Sequence, residues 1–298
     1  MKHLVTDIQR FCLSDGPGIR TVVFFKGCNL RCTWCHNPET LSFDKDLMFY
    51  PAKCIGCGKC FSACPNGAHK VIDGKHVIDR SLCASCGACA AVCYAEALVM
   101  SGKEMTVEEI MTEVRQDKPY YETSGGGVTL SGGEVLCHLP FAIELARACR
   151  KEGISVAIET NLSLPYEQIK PLLDEVDLVM ADLKLFDEEA HTRYTGKSSA
   201  AVKENLARLT DIPLIVRTPL IPDVTATKEN LLAIAGMLTG KDNLIYYQLL
   251  NFNPLGGTKY QSLDAENAFA HARAYTAEEM ERFGEMLAGL SIKVKVGE

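Results

Sequence analysis

Two cysteine quartets with one spacing constrain this chain more than any other feature. CIGCGKCFSAC supplies Cys54, Cys57, Cys60 and Cys64, and CASCGACAAVC supplies Cys83, Cys86, Cys89 and Cys93, each residue 29 positions beyond its counterpart. Three thiolates on one tight loop reach three corners of a cube, and the fourth, on the helix that follows, reaches across to the other cube. This C-x2-C-x2-C-x3-C spacing holds cubane iron–sulfur clusters. One set is then Cys54, Cys57, Cys60 and Cys93, and the other Cys83, Cys86, Cys89 and Cys64. Zinc knuckles instead separate two C-x2-C pairs by a longer gap. Pro65 follows the first quartet as the iron–sulfur pattern expects, whereas Tyr94 follows the second.

Composition sets the compartment. The chain has 298 residues, 14 of them cysteine, with 47% apolar and 23% charged content and a formal charge of −7. The acidic balance argues against a nucleic-acid surface. No run of about 20 apolar residues is present to span a membrane. The start, MKHLVTDIQRF, lacks the apolar core of a signal peptide, so a cytoplasmic location is expected. There, so many cysteines indicate metal rather than disulfides.

A third group is one thiol short. GCNLRCTWCH offers Cys28, Cys32 and Cys35, and a 4Fe–4S cube needs four ligands, so one iron would stay open to a substrate. By themselves three such cysteines also suit a partial zinc site or a redox thiol set. TVVFFKG, residues 21–27, reads as a buried strand and places the triplet on the loop at its C-terminal end, the catalytic face of a βα barrel.

From residue 104 onward helical and strand-like stretches alternate. Helices are expected over 104–117, with Thr106 as N-cap and Glu109 completing a capping box, over 139–153 closed by Gly153, and near 165–174, 200–210, 227–239 and 276–289. Strands are expected over 126–133, 154–160, 176–184, 212–222, 243–250 and 292–296. Such alternation implies a parallel sheet with right-handed crossovers, closing partly or fully into a barrel. Residues 50–101 read as an insert between segments 1–49 and 102–298. The remaining 246 or so residues suit a full (β/α)8 barrel, which takes about 250, or a six-unit partial barrel with long loops.

Polar residues gather at the strand ends. Ser131, Gly132, Gly133 and Glu134 close the second strand, where glycine lets backbone approach a ligand. Glu159 and Thr160 close the third, and Met180, Asp182, Leu183 and Lys184 the fourth. Asp182 and Lys184 share one side of a strand and also suit a solvated ion pair. Arg217 suits a ligand carboxylate, a partner's backbone or a structural salt bridge. His3, His69, His76, His138, His191 and His271 have no special context and are expected at the surface. Cys12, Cys137 and Cys149 are expected as small core fillers.

The triplet with Trp34 before its last cysteine resembles the signature of radical S-adenosylmethionine (SAM) enzymes. DGPGIR (residues 15–20), WCHNPE (34–39) and SGGGVTLSGGE (124–134) resemble more narrowly the activating enzymes of glycyl radical enzymes, pyruvate formate-lyase activating enzyme-like. Their subgroup with a bacterial ferredoxin-like two-cluster insert is the nearer likeness, and it covers nearly the whole chain. The resemblance implies an α/β partial (β/α)6 radical SAM barrel with that insert. It implies three 4Fe–4S clusters, the one on Cys28, Cys32 and Cys35 binding SAM at its open iron. SAM is reductively cleaved, and the 5′-deoxyadenosyl radical takes a Cα hydrogen from a glycine of a partner glycyl radical enzyme. Ser131-Gly132-Gly133-Glu134 would hold the SAM amino group. The stretch from Asp182 through Leu183 to Lys184 would touch SAM, and His36, after Trp34 and Cys35, would lie near the adenine. Glu159, Thr160, Met180 and Asp182 would surround a monovalent cation. Val135 stands where many relatives have proline, Glu159 where members often have Asp, and Asn253 where several place a SAM-contacting histidine. The insert would relay electrons from flavodoxin or ferredoxin, or dock the partner. A radical SAM enzyme acting on another peptide or a small molecule, and a ferredoxin-like electron carrier, are the competing readings.

Overall fold

The computed structural model describes residues 2–297; positions 1 and 298, the outer limits given above for the barrel segments, lie outside it. In chain order the strands are β1 (Lys2–Cys12), β2 (Arg20–Phe25), β3 (Asp46–Phe49), β4 (His69–Ile72), β5 (Lys75–Ile78), β6 (Leu98–Ser101) and β7 (Lys103–Thr106). They continue with β8 (Gly127–Gly132), β9 (Ser155–Thr160), β10 (Leu178–Asp182), β11 (Leu214–Pro219), β12 (Leu244–Leu250) and β13 (Val294–Val296). Nine of these form one sheet in the order β13-β12-β11-β10-β9-β8-β2-β1-β7. β2 and β8 to β13 pair in parallel, while β1 and β7 run antiparallel at one edge. The fold is α/β with a mostly parallel central sheet.

Strand period decides which side chains meet. Successive residues point to opposite faces, and Val156, Ile158, Val179, Ala181, Val216 and Tyr247 pack under the helices in the main core. Their alternates Ala157, Leu178, Met180 and Ile215 form a smaller cluster on the concave side. The same phase carries Glu159, Asp182 and Arg217, further along β9, β10 and β11, to the concave side. The helices cover the other face with apolar stripes. In the helix Val107–Arg115, Ile110, Met111 and Val114 are buried, each worth about 1.5–3 kcal/mol against exposure.

Three local expectations change. The helix expected over 104–117 spans Val107–Arg115, because Lys103–Thr106 is strand, paired with residues 2–5. Thr106 is still the N-cap and Glu109 completes the capping box. The N-terminal segment, given no secondary structure above, is the eleven-residue β1. Lys118–Ser124 and Glu188–Thr195 are additional helices.

Residues 50–97 lie between the strands of an antiparallel ribbon, β3 with β6, and contain the β4–β5 hairpin. Each cysteine loop runs into a short helix, Lys59–Ala63 or Ala88–Ala91. Six of the eight cysteines, all but the exposed Cys57 and Cys86, pack around a small core of Leu47, Phe49, Ala68, Ile78, Ala97 and Leu98. Polar contacts fasten this region to the barrel: Arg80 donates to Ser262 O at 2.8 Å and Asp264 at 2.7 Å, and buried Lys26 pairs with Asp46 at 2.7 Å.

Candidate functional site

A cavity of about 830 Å³ opens at the C-terminal ends of the parallel strands, a size that suits a small-molecule ligand. Cys28, Cys32 and Cys35 line one wall with Trp34 and His36. The ends of β8, β9, β10 and β11 contribute Ser131, Gly132, Gly133, Glu134, Glu159, Thr160, Asp182, Lys184 and Arg217, and Asn253 follows β12. Two residues named from sequence do not reach it. Met180 sits one layer below, in the concave apolar cluster. Leu183 has the opposite strand phase from Asp182, so its side chain joins the main core, and its amide donates to Arg217 O at 3.1 Å.

The triplet loop is held from two sides. Arg31 N donates to Thr195 O at 2.7 Å and Thr33 N to Tyr194 O at 3.0 Å, both at the end of the unexpected helix. On the other side, Asn161 Nδ2 donates to Asn29 Oδ1 at 3.0 Å. Trp34 packs with Leu185, Ile221 and Phe252. Burial raises all three thiols, Cys35 to about 12, so they need a coordinating cation to become thiolates.

The glycines serve backbone packing. Gly132 has φ +115°, and a Cβ there would lie 2.2 Å from Phe25 N; one at Gly133 would lie 2.3 Å from Gly27 O. The amides of Gly133 and Glu134 donate to Phe25 O and Gly27 O, each at 2.9 Å. The close approach expected toward a ligand is, in this loop, an approach to the end of β2.

Glu134 is 2% exposed and organises the neighbouring strand end. Its carboxylate accepts from Thr160 Oγ1 at 2.6 Å, Leu136 N at 3.0 Å and Asn161 N at 2.7 Å. Burial lifts it to about 7 despite these donors. Arg217, also buried, pairs with Glu159, donates to Ser14 O at 2.8 Å and reaches Gln248 Oε1 at 3.1 Å. Burial alone would lower Arg217, and Glu159 holds it up. Ser131 Oγ donates to the other Glu159 oxygen. Lys184 Nζ lies 2.5 Å from Asp182 Oδ2; burial pulls the ammonium down, but Asp182 and Cys32 raise it above its usual value. The four residues named around a cation are thus divided: Glu159 serves Arg217, Asp182 serves Lys184, Thr160 serves Glu134 and Met180 is elsewhere.

The cavity also contains residues not identified above. Lys259 Nζ bridges Asn37 Oδ1 and Glu39 Oε1, each at 2.6 Å, and Glu39 Oε2 is buried without a partner. Lys259 and Glu39 are 220 positions apart, and no local pattern pairs them. Toward the ribbon, Met48, Tyr50 and Met100 extend the lining.

In the cysteine-rich region, Cys64, Cys83, Cys86 and Cys89 line one small cleft, one residue from the first quartet and three from the second. Burial lifts Cys89 to about 11, with Cys83 and Cys64 adding to the rise. Cys60 is raised by burial and by Cys54 and Cys57. The histidines differ from expectation: His69, His138 and His191 are buried, each on an element whose packing a lone histidine does not reveal. His69 Nδ1 lies 2.8 Å from His76 Nε2, and the His76 ring nitrogens lie 3.9 Å from Cys54 Sγ and 4.0 Å from Cys60 Sγ. Of the leftover cysteines, Cys149 is a core filler, while Cys12 and Cys137 are half-buried.

Comparison with known proteins places the chain. Residues 22–233 match the radical SAM superfamily. The (2S)-3-sulfopropanediol dehydratase activating enzyme of Klebsiella oxytoca is 40% identical over 87% of this chain and 85% of its own. The isethionate sulfite-lyase activating enzyme of Desulfovibrio desulfuricans is 39% identical over 88% and 87%. A crystal structure of a radical SAM methyltransferase from Sphaerobacter thermophilus shares the fold at TM-score 0.52 and 13% identity, over 99% of this chain and 76% of that one. The chain belongs to the radical SAM superfamily. It is a radical SAM enzyme, and both of these curated relatives are named activating enzymes. Among the described residues no helix is long and apolar enough to cross a membrane.

Proposed function

We propose that this enzyme activates a glycyl radical enzyme, and that Cys28, Cys32 and Cys35 hold the cluster that binds SAM. One observation carries the reading: three thiols, Cys28 buried and Cys32 and Cys35 half-buried, line one cavity with strand ends bearing Glu134, Glu159, Asp182, Lys184 and Arg217. The donor set fits the group, since three thiolates satisfy three irons of a 4Fe–4S cube and leave one free. When bound, the cluster and SAM supply a 5′-deoxyadenosyl radical that removes a Cα hydrogen from one glycine of the partner.

The chain's own residues supply position and dryness. Trp34, Ile221 and Phe252 exclude water beside Cys32. Glu134 holds the Thr160 hydroxyl and the Asn161 backbone amide, and through Asn161 and Asn29 it steadies the triplet loop. Lys184, kept protonated by Asp182, and Arg217, kept charged beside Glu159, are the cations available to a carboxylate; Glu159 and Asp182 balance an amino group or sulfonium. His36 and Asn253 lie on the same lining, where the adenine and ribose would fit.

We assign residues 50–101 to a ferredoxin-like insert with two further 4Fe–4S clusters, on Cys54, Cys57, Cys60 and Cys93 and on Cys83, Cys86, Cys89 and Cys64. The shared cleft of Cys64, Cys83, Cys86 and Cys89 supports the crossed assignment. Residues 1–49 and 102–298 then form the partial six-unit barrel. Flavodoxin or ferredoxin is the proposed electron donor, in an anaerobic cytoplasm. A fully reconstituted chain should contain about 12 iron atoms, against about 8 for the insert alone.

The direct test uses a peptide copying a glycyl radical loop, its glycine dideuterated at Cα, with the reconstituted enzyme, SAM and a strong reductant without oxygen. Deuterium in 5′-deoxyadenosine is the expected result. Unlabelled 5′-deoxyadenosine with both the peptide and an intact dideuterated partner would move the target to another peptide or a small molecule. No 5′-deoxyadenosine from an iron-replete sample would leave only electron carriage.

A further inference from the structure

Two imidazoles lie between the cysteine sets of the insert. His69 and His76 share one face of the β4–β5 hairpin, diagonal across the pairs His69–Ile78 and Val71–His76. His69 Nδ1 lies 2.8 Å from His76 Nε2. Beyond His76, its Nδ1 lies 3.9 Å from Cys54 Sγ. Beyond His69, the ring lines the cleft of Cys64, Cys83, Cys86 and Cys89, and its Nε2 is buried without a partner. Phe49 and Phe61 pack on the His76 ring, with centroids at 4.5 and 5.1 Å. The repeat breaks here: 29 positions beyond His69 stands Leu98, a residue of the small core.

These contacts decide where the protons lie. A neutral imidazole carries one N–H and one bare nitrogen, so the 2.8 Å contact holds one proton between the rings. Were His76 Nε2 the donor, His76 Nδ1 would turn a lone pair toward the Cys54 sulfur. His69 would then carry a buried N–H at Nε2 with no acceptor. With His69 Nδ1 as the donor, His69 Nε2 is a bare nitrogen, and a buried acceptor without a partner is the more tolerable orphan. His76 Nδ1 then carries its proton toward Cys54 Sγ. Only the second arrangement gives each N–H an acceptor, and the two phenyl rings strengthen it by keeping the surroundings apolar.

We propose that His76, held by His69 in the tautomer with its proton on Nδ1, hydrogen-bonds the Cys54 sulfur and raises the reduction potential of the cluster on Cys54, Cys57, Cys60 and Cys93. The inference rests on the reading that the two quartets hold 4Fe–4S clusters. It adds that two clusters built from one repeat are electronically unequal. The donor set fits, because a thiolate sulfur bound to iron still accepts a hydrogen bond, and hydrogen bonds to the sulfurs are among the factors that set such potentials. Reduction adds one electron to the cluster and negative charge to its sulfurs. The N–H aimed at Cys54 stabilises that charge, and no proton or other atom is transferred. Both histidines are positioning residues, not ligands.

The test is an EPR-monitored redox titration of the reconstituted full chain, with iron analysis; added SAM marks the barrel cluster by its altered signal. His76→Phe and His76→Leu should each lower one insert potential by a tenfold change in the reduction equilibrium, about 59 mV for one electron. The other insert potential should stay where it is. His76→Asn, whose amide nitrogen can stand in for Nδ1, should restore most of the difference. His69→Leu should lower the same potential by less, since it removes the ring that fixes the tautomer. Iron should remain at about 12 atoms per chain throughout. Unchanged potentials in His76→Phe and His76→Leu at full iron overturn the inference, as does an equal shift of both insert clusters. If His69→Leu moves the other insert cluster instead, the outward proton is on His69 and the assignment to Cys54 falls. Loss of about 4 iron atoms in every His76 variant would make His76 a ligand and overturn it too. Failure of the underlying reading would show separately, as about 4 iron atoms per wild-type chain.

Discussion

The parallel-sheet region and the cysteine-rich segment between β3 and β6 each gather cysteines, but they support them differently. Around the barrel site the cysteines line a cavity over a continuous core that includes Val156, Ile158, Val179, Val216, Leu231 and Tyr247. The insert has a handful of buried side chains from Leu47 to Leu98, and helices of four and five residues. A segment of about 50 residues buries too little surface to offset its conformational entropy. On the proposed assignment, the barrel would bring an already built structure to its ligands, whereas the insert would need its ligands to be built.

The largest effect to expect is therefore on iron removal. In chelated, anaerobic protein, amides between residues 54 and 97 should lose their slow hydrogen exchange, while β8 to β11 remain protected. Mass spectrometry of the exchanged peptides reads this directly. Protection retained in the insert would erase the contrast, leaving its small core and the Arg80 anchors sufficient without metal.

Within the barrel, iron-free protein should keep an unfolding transition of its own, and buried polar contacts should control it. Arg217→Ala removes the guanidinium that balances Glu159, whose side chain is 22% exposed. Breaking a buried pair by deleting one partner typically costs about 3–5 kcal/mol, and the partial exposure of Glu159 places the expectation near ~3 kcal/mol. Denaturant midpoints measure it. A loss under ~1 kcal/mol would class the pair with solvent-screened surface bridges.

Glu134 gives the next effect, with a defined sign. Burial raises its folded value to about 7, above an unfolded value near ~4.3. Between those limits the folded state binds more protons than the unfolded state, so stability is greatest below ~4.3 and falls as pH rises toward 7. The loss should be on the order of 3 kcal/mol. Glu134→Gln should flatten the barrel's stability between pH 5 and 7. A fall that persists in the variant would belong to other groups.

Much of this arrangement was legible because strand period is a local property. The apolar runs located the seven parallel strands, and their ends carried Ser131, Glu134, Glu159, Asp182, Lys184 and Arg217 to one mouth. Period also separates Leu183 from Asp182, because adjacent strand residues face opposite sides. What period does not give is depth: Met180 has the cavity's phase but sits a layer below. Nor does it give pairing across the fold. Glu159 and Arg217 are 58 positions apart, and their ion pair exists because β9 and β11 flank β10. β1 was hidden for a related reason. It is half-exposed and polar along much of its length, and it is a strand because β2 and β7 lie on either side of it.

The smallest effect tests where the two regions join. Thr106 is both the last residue of β7 and the cap of the helix that follows, within a few residues of the ribbon. Its hydroxyl accepts from Glu109 N at 3.2 Å, and Glu109 Oε2 accepts from Thr106 N at 2.7 Å. Thr106→Ala should cost about 1 kcal/mol, the usual value of an N-cap, and Thr106→Ser should restore most of it. Because the capped helix packs into the main core through Ile110, Met111 and Val114, the loss should fall on the barrel transition and leave insert exchange in the iron-loaded protein unchanged. If insert protection dropped together with the barrel's, the ribbon at β6 would be transmitting strain through β7, and the two regions would unfold as one cooperative unit.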